Sequence, residues 1–351
     1  MSSVSTSGTS AGKVLLTGAS GHLGANLLRR LVTEGYQVRV LIRPGSDNAA
    51  IDGVDCERIY GDLRDAESVD RAVNGCRRIF HAAAKVSTIF GNAAHKREIY
   101  DCNVIGTRNI LAAAKKFDVE RTCVTGSFSA VGYNHDNPSL PSTEEMRIYP
   151  FERMMPYEAS KTFVELECLS AANRGVDVVI ATSCAILGPH DYKPSRMGRA
   201  LCDFANGKLH AYVEGGFEFV SVDDLVEGHI LTMNKGRRGE KYVFSTEFLS
   251  LPEMMQLWAR ITGRPGPRLR VPITLMGAVA EVVSPILSYV APSFPQRLTP
   301  GAVRLLALNR HADLTKAKTE LGYQPTSVER ACRDAYEFFV KRGAIHTPLT
   351  S

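Results

Sequence analysis

Lys13 to Leu28 reads KVLLTGASGHLGANLL. A short apolar run ends in glycine, and apolar residues then recur at helical spacing. Glycines stand at 18, 21 and 24. A tight turn and a close backbone approach both favour residues without a side chain. The start of the helix that follows offers free N–H groups and the positive end of its dipole to a pyrophosphate. Three glycines alone are weak evidence. A strand before them and a helix after them make this stretch a candidate dinucleotide loop. Gly18, Ser20, Gly21, His22, Leu23 and Gly24 are the expected contacts. A tight turn that binds nothing is the alternative.

Outward from this loop the chain keeps alternating. Helix 22–35 is followed by strand QVRVLIRP, strand ERIYGD, helix AESVDRAVNG, strand RRIFHAAA and one long helix over 100–119. Strand RTCVTGSFSA comes next, then a helix opening at PYEASK, then an extended VDVVIATSCAILGP. Alternating strands and helices predict an α/β fold, a doubly wound parallel sheet with helices on both faces. Runs such as VDVVIA suit strands buried on both sides. After residue 188 short strands and helices mix, which predicts a smaller C-terminal region. The expected organisation is a disordered tail over 1–12, a nucleotide-binding domain over 13–187 to which 217–232 returns, and a substrate region over 188–345.

The spacing is G-x-x-G-x-x-G rather than G-x-G-x-x-G. A free ribose 2′-hydroxyl calls for an acid at the end of the second strand. Ile42 stands there and Arg43 follows, and an arginine can pair with a 2′-phosphate. NADP(H) is therefore expected ahead of NAD(H), with Arg43 as a plain solvated strand end the alternative. Asp62 and Leu63 end the third strand beside the adenine, although Asp62 could equally cap the next helix. Ala82, Ala83 and Ala84 are small enough to let the cofactor lie on the backbone of the fourth strand. His81 reads as a core residue rather than a catalyst.

Composition bounds the rest. The chain has 351 residues, 44% of them hydrophobic, enough for a sizeable core, and a mild net charge of +5 without a basic tract. No nucleic-acid partner is expected. Eight scattered cysteines without a CxxC pair suggest a reducing compartment, no zinc site and a cytoplasmic protein. The apolar stretch at 271–292 carries Glu281 and Pro285 near its middle, which argues against a bilayer span. Helices covering a core or an apolar pocket are expected there. Contact with a membrane surface is the alternative.

The motifs TGASGHLG, GDL, HAAA, NVIGTRNIL, SFSAVG, YEASK, GPHD and FVSVDDL follow one another between Lys13 and about Gly343. Together they resemble the extended short-chain dehydrogenase/reductase superfamily. The nearest branch is that of dihydroflavonol-reductase-like, 3β-hydroxysteroid-dehydrogenase-like and hopanoid-associated epimerase-like proteins. The resemblance implies a Rossmann domain, a C-terminal substrate domain and a Ser–Tyr–Lys catalytic set. Carried over, these residues are Ser127, Tyr157 and Lys161, with Ser129 the fallback for the serine. Gly126 stands where a first serine is usual. Ile186, just ahead of the Gly188–Pro189 turn, completes the expected cofactor contacts, which also include Tyr157 and Lys161.

The chemistry needs these types. A phenol with a pKa of about 10 holds its proton too tightly to cycle at neutral pH. An ammonium within roughly 4–6 Å favours the phenolate. Lys161 lies one helical turn beyond Tyr157 and is expected to lower its pKa. The Ser127 hydroxyl would steady the charge developing on the substrate oxygen. The expected function is ketone–alcohol interconversion on a bulky hydrophobic molecule of steroid, terpenoid, polyketide or β-keto acyl type. A sugar-nucleotide epimerase or dehydratase with tightly held NAD is the alternative, and a non-catalytic NADP sensor is a remote one. Ala185 lacks the amide that many sugar-nucleotide enzymes place at this position. Val86, Phe90, His190, Tyr192 and Met197 are candidate substrate contacts. A homodimer is expected through the tyrosine-bearing helix and its neighbour over 98–115.

Overall fold

Val14 to Thr17 form the first strand, and all four residues are buried. The computed structural model describes residues 12–89, 91–146, 154–290 and 299–346, and the side chains of all of these except 284–290. After β1 (Val14–Thr17) come α1 (His22–Thr33), β2 (Val38–Ile42), β3 (Glu57–Tyr60), α2 (Ala66–Val73) and β4 (Arg78–His81). Then follow α3 (Ala93–Tyr100), α4 (Gly106–Lys116), β5 (Arg121–Ser127), α5 (Pro156–Asn173) and β6 (Val178–Ser183). Of the expected tail over 1–12, residues 1–11 lie outside the described residues.

Among the described residues the main sheet has seven parallel strands. Six are already named, and the seventh is β10 (Lys241–Phe244) in the order β10-β6-β5-β4-β1-β2-β3. Strand residues alternate between two cores. Val14 and Leu16 join the cluster of Leu23, Leu27 and Leu225 on one face. Leu15 joins Val69, Ile110 and Val164 on the other. Burial on both faces explains the unbroken apolar runs. The strand order reverses between β1 and β4, so the crevice at their carboxyl ends is the expected place for a ligand.

Two sequence expectations are corrected here. The long helix expected over 100–119 starts earlier, at Ala93, and is interrupted by a π-turn at Asp101–Ile105. Asn103 within that turn is buried, and its side chain binds Lys85 and Ser160. The extended run at 176–189 is two strands in two sheets. β6 stays in the main sheet, whereas β7 (Ala185–Leu187) leaves it.

Beyond β7 the chain forms α6 (Arg196–Ala205), β8 (Ala211–Val213), β9 (Gly216–Ser221) and α7 (Val222–Lys235), the helix ahead of β10. β11 (Glu247–Ser250), α8 (Leu251–Thr262), β12 (Leu269–Val271), α9 (Ile273–Val290), α10 (Pro300–Ala307) and α11 (Val328–Lys341) complete the order. β11, β9 and β7 make a small sheet, and β12 pairs with β8. Trp258, Phe204, Phe219 and Phe339 centre this region's own core. α7 returns to pack on β5 and β6. The apolar stretch at 271–292 is one helix, α9, which packs on α10, and its last two residues lie outside the described residues.

Candidate active site

The glycine loop is built for close approach. Gly18 has φ +77°, and a Cβ there would lie 2.6 Å from Ala83 N. A Cβ on Gly24 would lie 2.1 Å from Gly18 O. Gly21 caps α1 without a side-chain hydrogen bond, and no acid stands in the first turn. Uncapped N–H groups beside an alanine strand end (Ala82, Ala83 and Ala84) fit a dinucleotide pyrophosphate. Ser20 is half-buried in the loop and Leu23 is buried beneath it. His22 turns its Nε2 to Pro189 O at 3.1 Å, and burial holds its pKa low.

Ile42 is buried and Arg43 is exposed at the end of β2. Asp62 does not cap α2; Asp65 does, through Glu67 N and Ser68 N. Asp62 instead takes Arg64 at 2.6 Å, and that bond, with Arg43 nearby, holds its carboxyl below the usual range. Leu63 packs on Gly106, where a Cβ would come within 3.1 Å of its own. Ile186 is half-buried on β7, paired with Val220.

Ser127 ends β5, and its Oγ lies 2.8 Å from Ser129 Oγ, so the two candidate serines touch. Gly126 has a steric reason. A Cβ there would meet Thr182 Oγ1 at 2.6 Å, so β6 leaves no room for a further serine. Tyr157 sits in the first turn of α5, where Pro156 suits the helix start. Its phenol lies near enough to the Ser127 hydroxyl for that group to favour the phenolate. Lys161 is almost fully buried and donates to Thr125 O at 2.8 Å.

The electrostatics differ from the expectation. Desolvation raises the Tyr157 pKa, the Ser127 hydroxyl works against that rise, and Glu158 adds to it. The Lys161 ammonium is directed at a backbone carbonyl and does not pull the phenol down. Burial lowers Lys161 itself to about 8, with Cys168 and Glu165 opposing the fall.

The candidate substrate residues scatter. Val86 is exposed after β4, and Phe90 lies outside the described residues. His190, at φ +59°, binds Asn26 on α1 at 2.9 Å. Tyr192 accepts from Arg29 at 2.9 Å and packs edge-on to Phe338 on α11. Met197 packs in the C-terminal core. The structure thus joins His190 and Tyr192 to α1 and α11, and gives neither a contact with Tyr157. His81 is buried between Thr17 at 2.7 Å and Thr107 at 3.0 Å, and desolvation lowers it to about 3.

With this geometry the comparisons are direct. The model of the NAD dependent epimerase/dehydratase family matches residues 14–244. The chain belongs to that family. It is 41% identical over 331 residues to sterol demethylase protein B of Methylococcus capsulatus, covering 94% of this chain and 99% of that one. It is 34% identical to a putative dihydroflavonol 4-reductase of Synechocystis, over 95% and 96% of the two chains. The crystal structure of gox2253 superposes with a TM-score of 0.82 at 30% identity, covering 95% of this chain and 99% of that one. This is an NAD(P)-dependent enzyme of the extended short-chain dehydrogenase/reductase type.

Three residues of this family member escaped the sequence reading. Thr125 donates its hydroxyl to His229 Nε2 at 2.9 Å, while its carbonyl holds Lys161. His229 is fully buried on α7, and Leu225 O at 2.8 Å fixes its tautomer. Desolvation lowers it to about 4, so it stays neutral beside the ammonium. Arg310 is buried between the rings of Phe128 and Tyr133. It donates to Val131 O at 2.8 Å and Gly132 O at 3.0 Å, which fixes the turn after Ser127. The HIL run around His229 reads as helix core, and Arg310 lies more than 150 residues from its partners. No local pattern marks either.

Proposed function

We propose that this enzyme is an NADP(H)-dependent oxidoreductase that interconverts a ketone and a secondary alcohol on a bulky, hydrophobic, sterol-like molecule. One observation carries the chemistry: Tyr157 stands beside Ser127 at the start of α5, one helical turn before a buried lysine. The sterol class comes from a relative named sterol demethylase protein B, whose length this chain matches almost entirely.

The residues divide the work. A bound nicotinamide supplies or accepts the hydride. In reduction the substrate oxygen takes the Tyr157 proton while Ser127 donates a second hydrogen bond to it. In oxidation Tyr157 takes the hydroxyl proton back. Lys161, charged below a pH of about 8, favours the phenolate once its ammonium faces the phenol oxygen. The uncapped start of α1 would hold the pyrophosphate, and Arg43 a 2′-phosphate. Ala185, on β7, brings no amide to a diphosphate-sugar.

The outward side of α5 supports a homodimer. Leu166 and Leu169 are exposed there, and Arg108 pairs with Glu167 at 2.6 Å beside them. Charges of both signs around an apolar strip suit a self-complementary contact.

The test is turnover of a panel of hydroxysterols and oxosterols with NADP(H) and NAD(H). NADP(H)-linked turnover of a ring hydroxyl or ketone is the expected result. Arg43→Ala should raise KM for NADPH by roughly tenfold and leave KM for NADH unchanged, as loss of one charged phosphate contact implies. Protein purified with non-exchanging NAD, inert toward every sterol, would overturn the reading.

A further inference from the structure

Helix α9 leaves several of its large aliphatic side chains on the outside. Ala280 is buried, and a Cβ on Gly277 would lie 3.9 Å from Val303 of α10. Leu275, Val279, Val282 and Val283 are all exposed, at spacings that place them on one side. Leu269 of β12, exposed by 62%, stands next to the helix in sequence. Glu281 is the only charged residue from Val271 to Val290. Among the described residues no helix is long and apolar enough to cross a membrane.

Charge says what covers this face. Arg264, Arg268 and Arg270 precede the helix, and no acid occurs between Gly263 and Ala280. Arg268 and Arg270 are exposed, and Arg270 leans on Glu214. A second copy docked on the same face would bring two sets of arginines together around the symmetry axis. An anionic lipid surface neutralises the positive charge that Glu214 leaves over, while the aliphatic side chains enter the boundary between headgroups and acyl chains.

Position links this face to the chemistry. α9 packs on α10, and α10 packs on the residue that caps the tyrosine helix. A Cβ on Gly301 would lie 2.0 Å from Met155 Sδ, two residues before Tyr157. One helix therefore separates the apolar face from the start of α5.

We propose that the outer face of α9, with the arginines that precede it, docks the enzyme on an anionic lipid surface without spanning it. The docking stands on its own observations. That a sterol-like substrate then enters from the lipid rests on the function proposed above.

Sedimentation of the full chain with vesicles tests this. Phosphatidylcholine vesicles containing phosphatidylglycerol should carry the protein down, and high salt should release most of it. Vesicles of phosphatidylcholine alone should bind at least tenfold less. The double variant Leu275→Asp, Val282→Asp should lose binding tenfold or more, with an unchanged thermal midpoint and unchanged nucleotide affinity. Arg268→Gln with Arg270→Gln, which removes charge but no apolar surface, should weaken binding to the anionic vesicles only. Wild-type protein that stays in solution with both vesicle types would overturn the proposal. So would a change of the aspartate variant to a smaller oligomer by light scattering, since a second copy would then cover the face. Turnover of a detergent-dispersed sterol without vesicles reports separately on the substrate.

Discussion

The two sides of α5 depart from the usual order of a surface helix. Its inner side buries Val164, Cys168, Ala171 and Ala172, and among them Glu158, Ser160, Lys161, Thr162 and Glu165. Its outer side exposes Phe163, Leu166 and Leu169. An ordinary amphipathic helix, such as α2 with Val69, Ala72 and Val73 inside, keeps its apolar groups there. The polar inner side has costs that only a site recovers. Lys161 is buried against a carbonyl, and Glu165 needs the Lys241 ammonium at 2.8 Å. Under the function proposed above, the polar inner side serves the chemistry and the apolar outer side the contact between two copies.

The inner side should break first and hardest. Tyr157→Phe keeps the ring and removes the transferable proton. Its kcat should fall by about 10²–10⁴, the usual worth of a positioned acid, while nucleotide affinity stays within twofold. A variant with normal turnover would remove Tyr157 from the mechanism.

Glu165→Gln leaves Lys241 without its partner. Stability should fall by about 2 kcal/mol in a denaturant titration, less than for a fully buried pair because Lys241 keeps some solvent contact. The same variant separates the two roles of the inner side. In the wild type the Lys161 charge is present below a pH of about 8 and lost above it, so reduction should slow as pH rises through that value. Glu165 is one of the groups that raise Lys161, so its loss should move the limb to lower pH. A limb that stays in place would assign it to another group.

His229→Ala acts from the opposite face of the sheet. It frees the Thr125 hydroxyl and loosens the carbonyl that holds Lys161. A loss in kcat of roughly three- to tenfold is expected, the size of one neutral hydrogen bond, with KM unchanged. His229→Gln, which can still accept from Thr125, should recover part of it. On the outer side, Leu166→Asp with Leu169→Asp should halve the mass in solution and leave kcat unchanged. A loss of turnover there would erase the division between the two sides of the helix.

Much of this was legible from residue order. Strand–loop–helix around Gly18 and alternation up to β6 follow from local periodicity, which the chain states openly. The π-turn was not legible, because Asp101 to Ile105 read as good helix and the break depends on Asn103 reaching Lys85 and Ser160. The split between β6 and β7 was hidden by one continuous apolar run. Tyr157 and Lys161 were named from the order of the motifs and the resemblance it carries, but the direction of the phenol shift could not be read there. Burial of the phenol sets that direction, and the Lys161 ammonium, turned to the Thr125 carbonyl, does not offset it. His190 and Tyr192 were named for a loop expected to open toward the nicotinamide, and their seats on α1 and α11 depend on contacts that residue order does not carry.

Arg310 has a consequence in time. The glycine loop and the strands from β1 to β6 lie in the first 183 residues and can assemble as the chain leaves the ribosome. The turn after Ser127 is tied down by a guanidinium that is synthesised nearly 180 residues after it. The turn beside the candidate serine is thus completed only by the last part of the chain to be made.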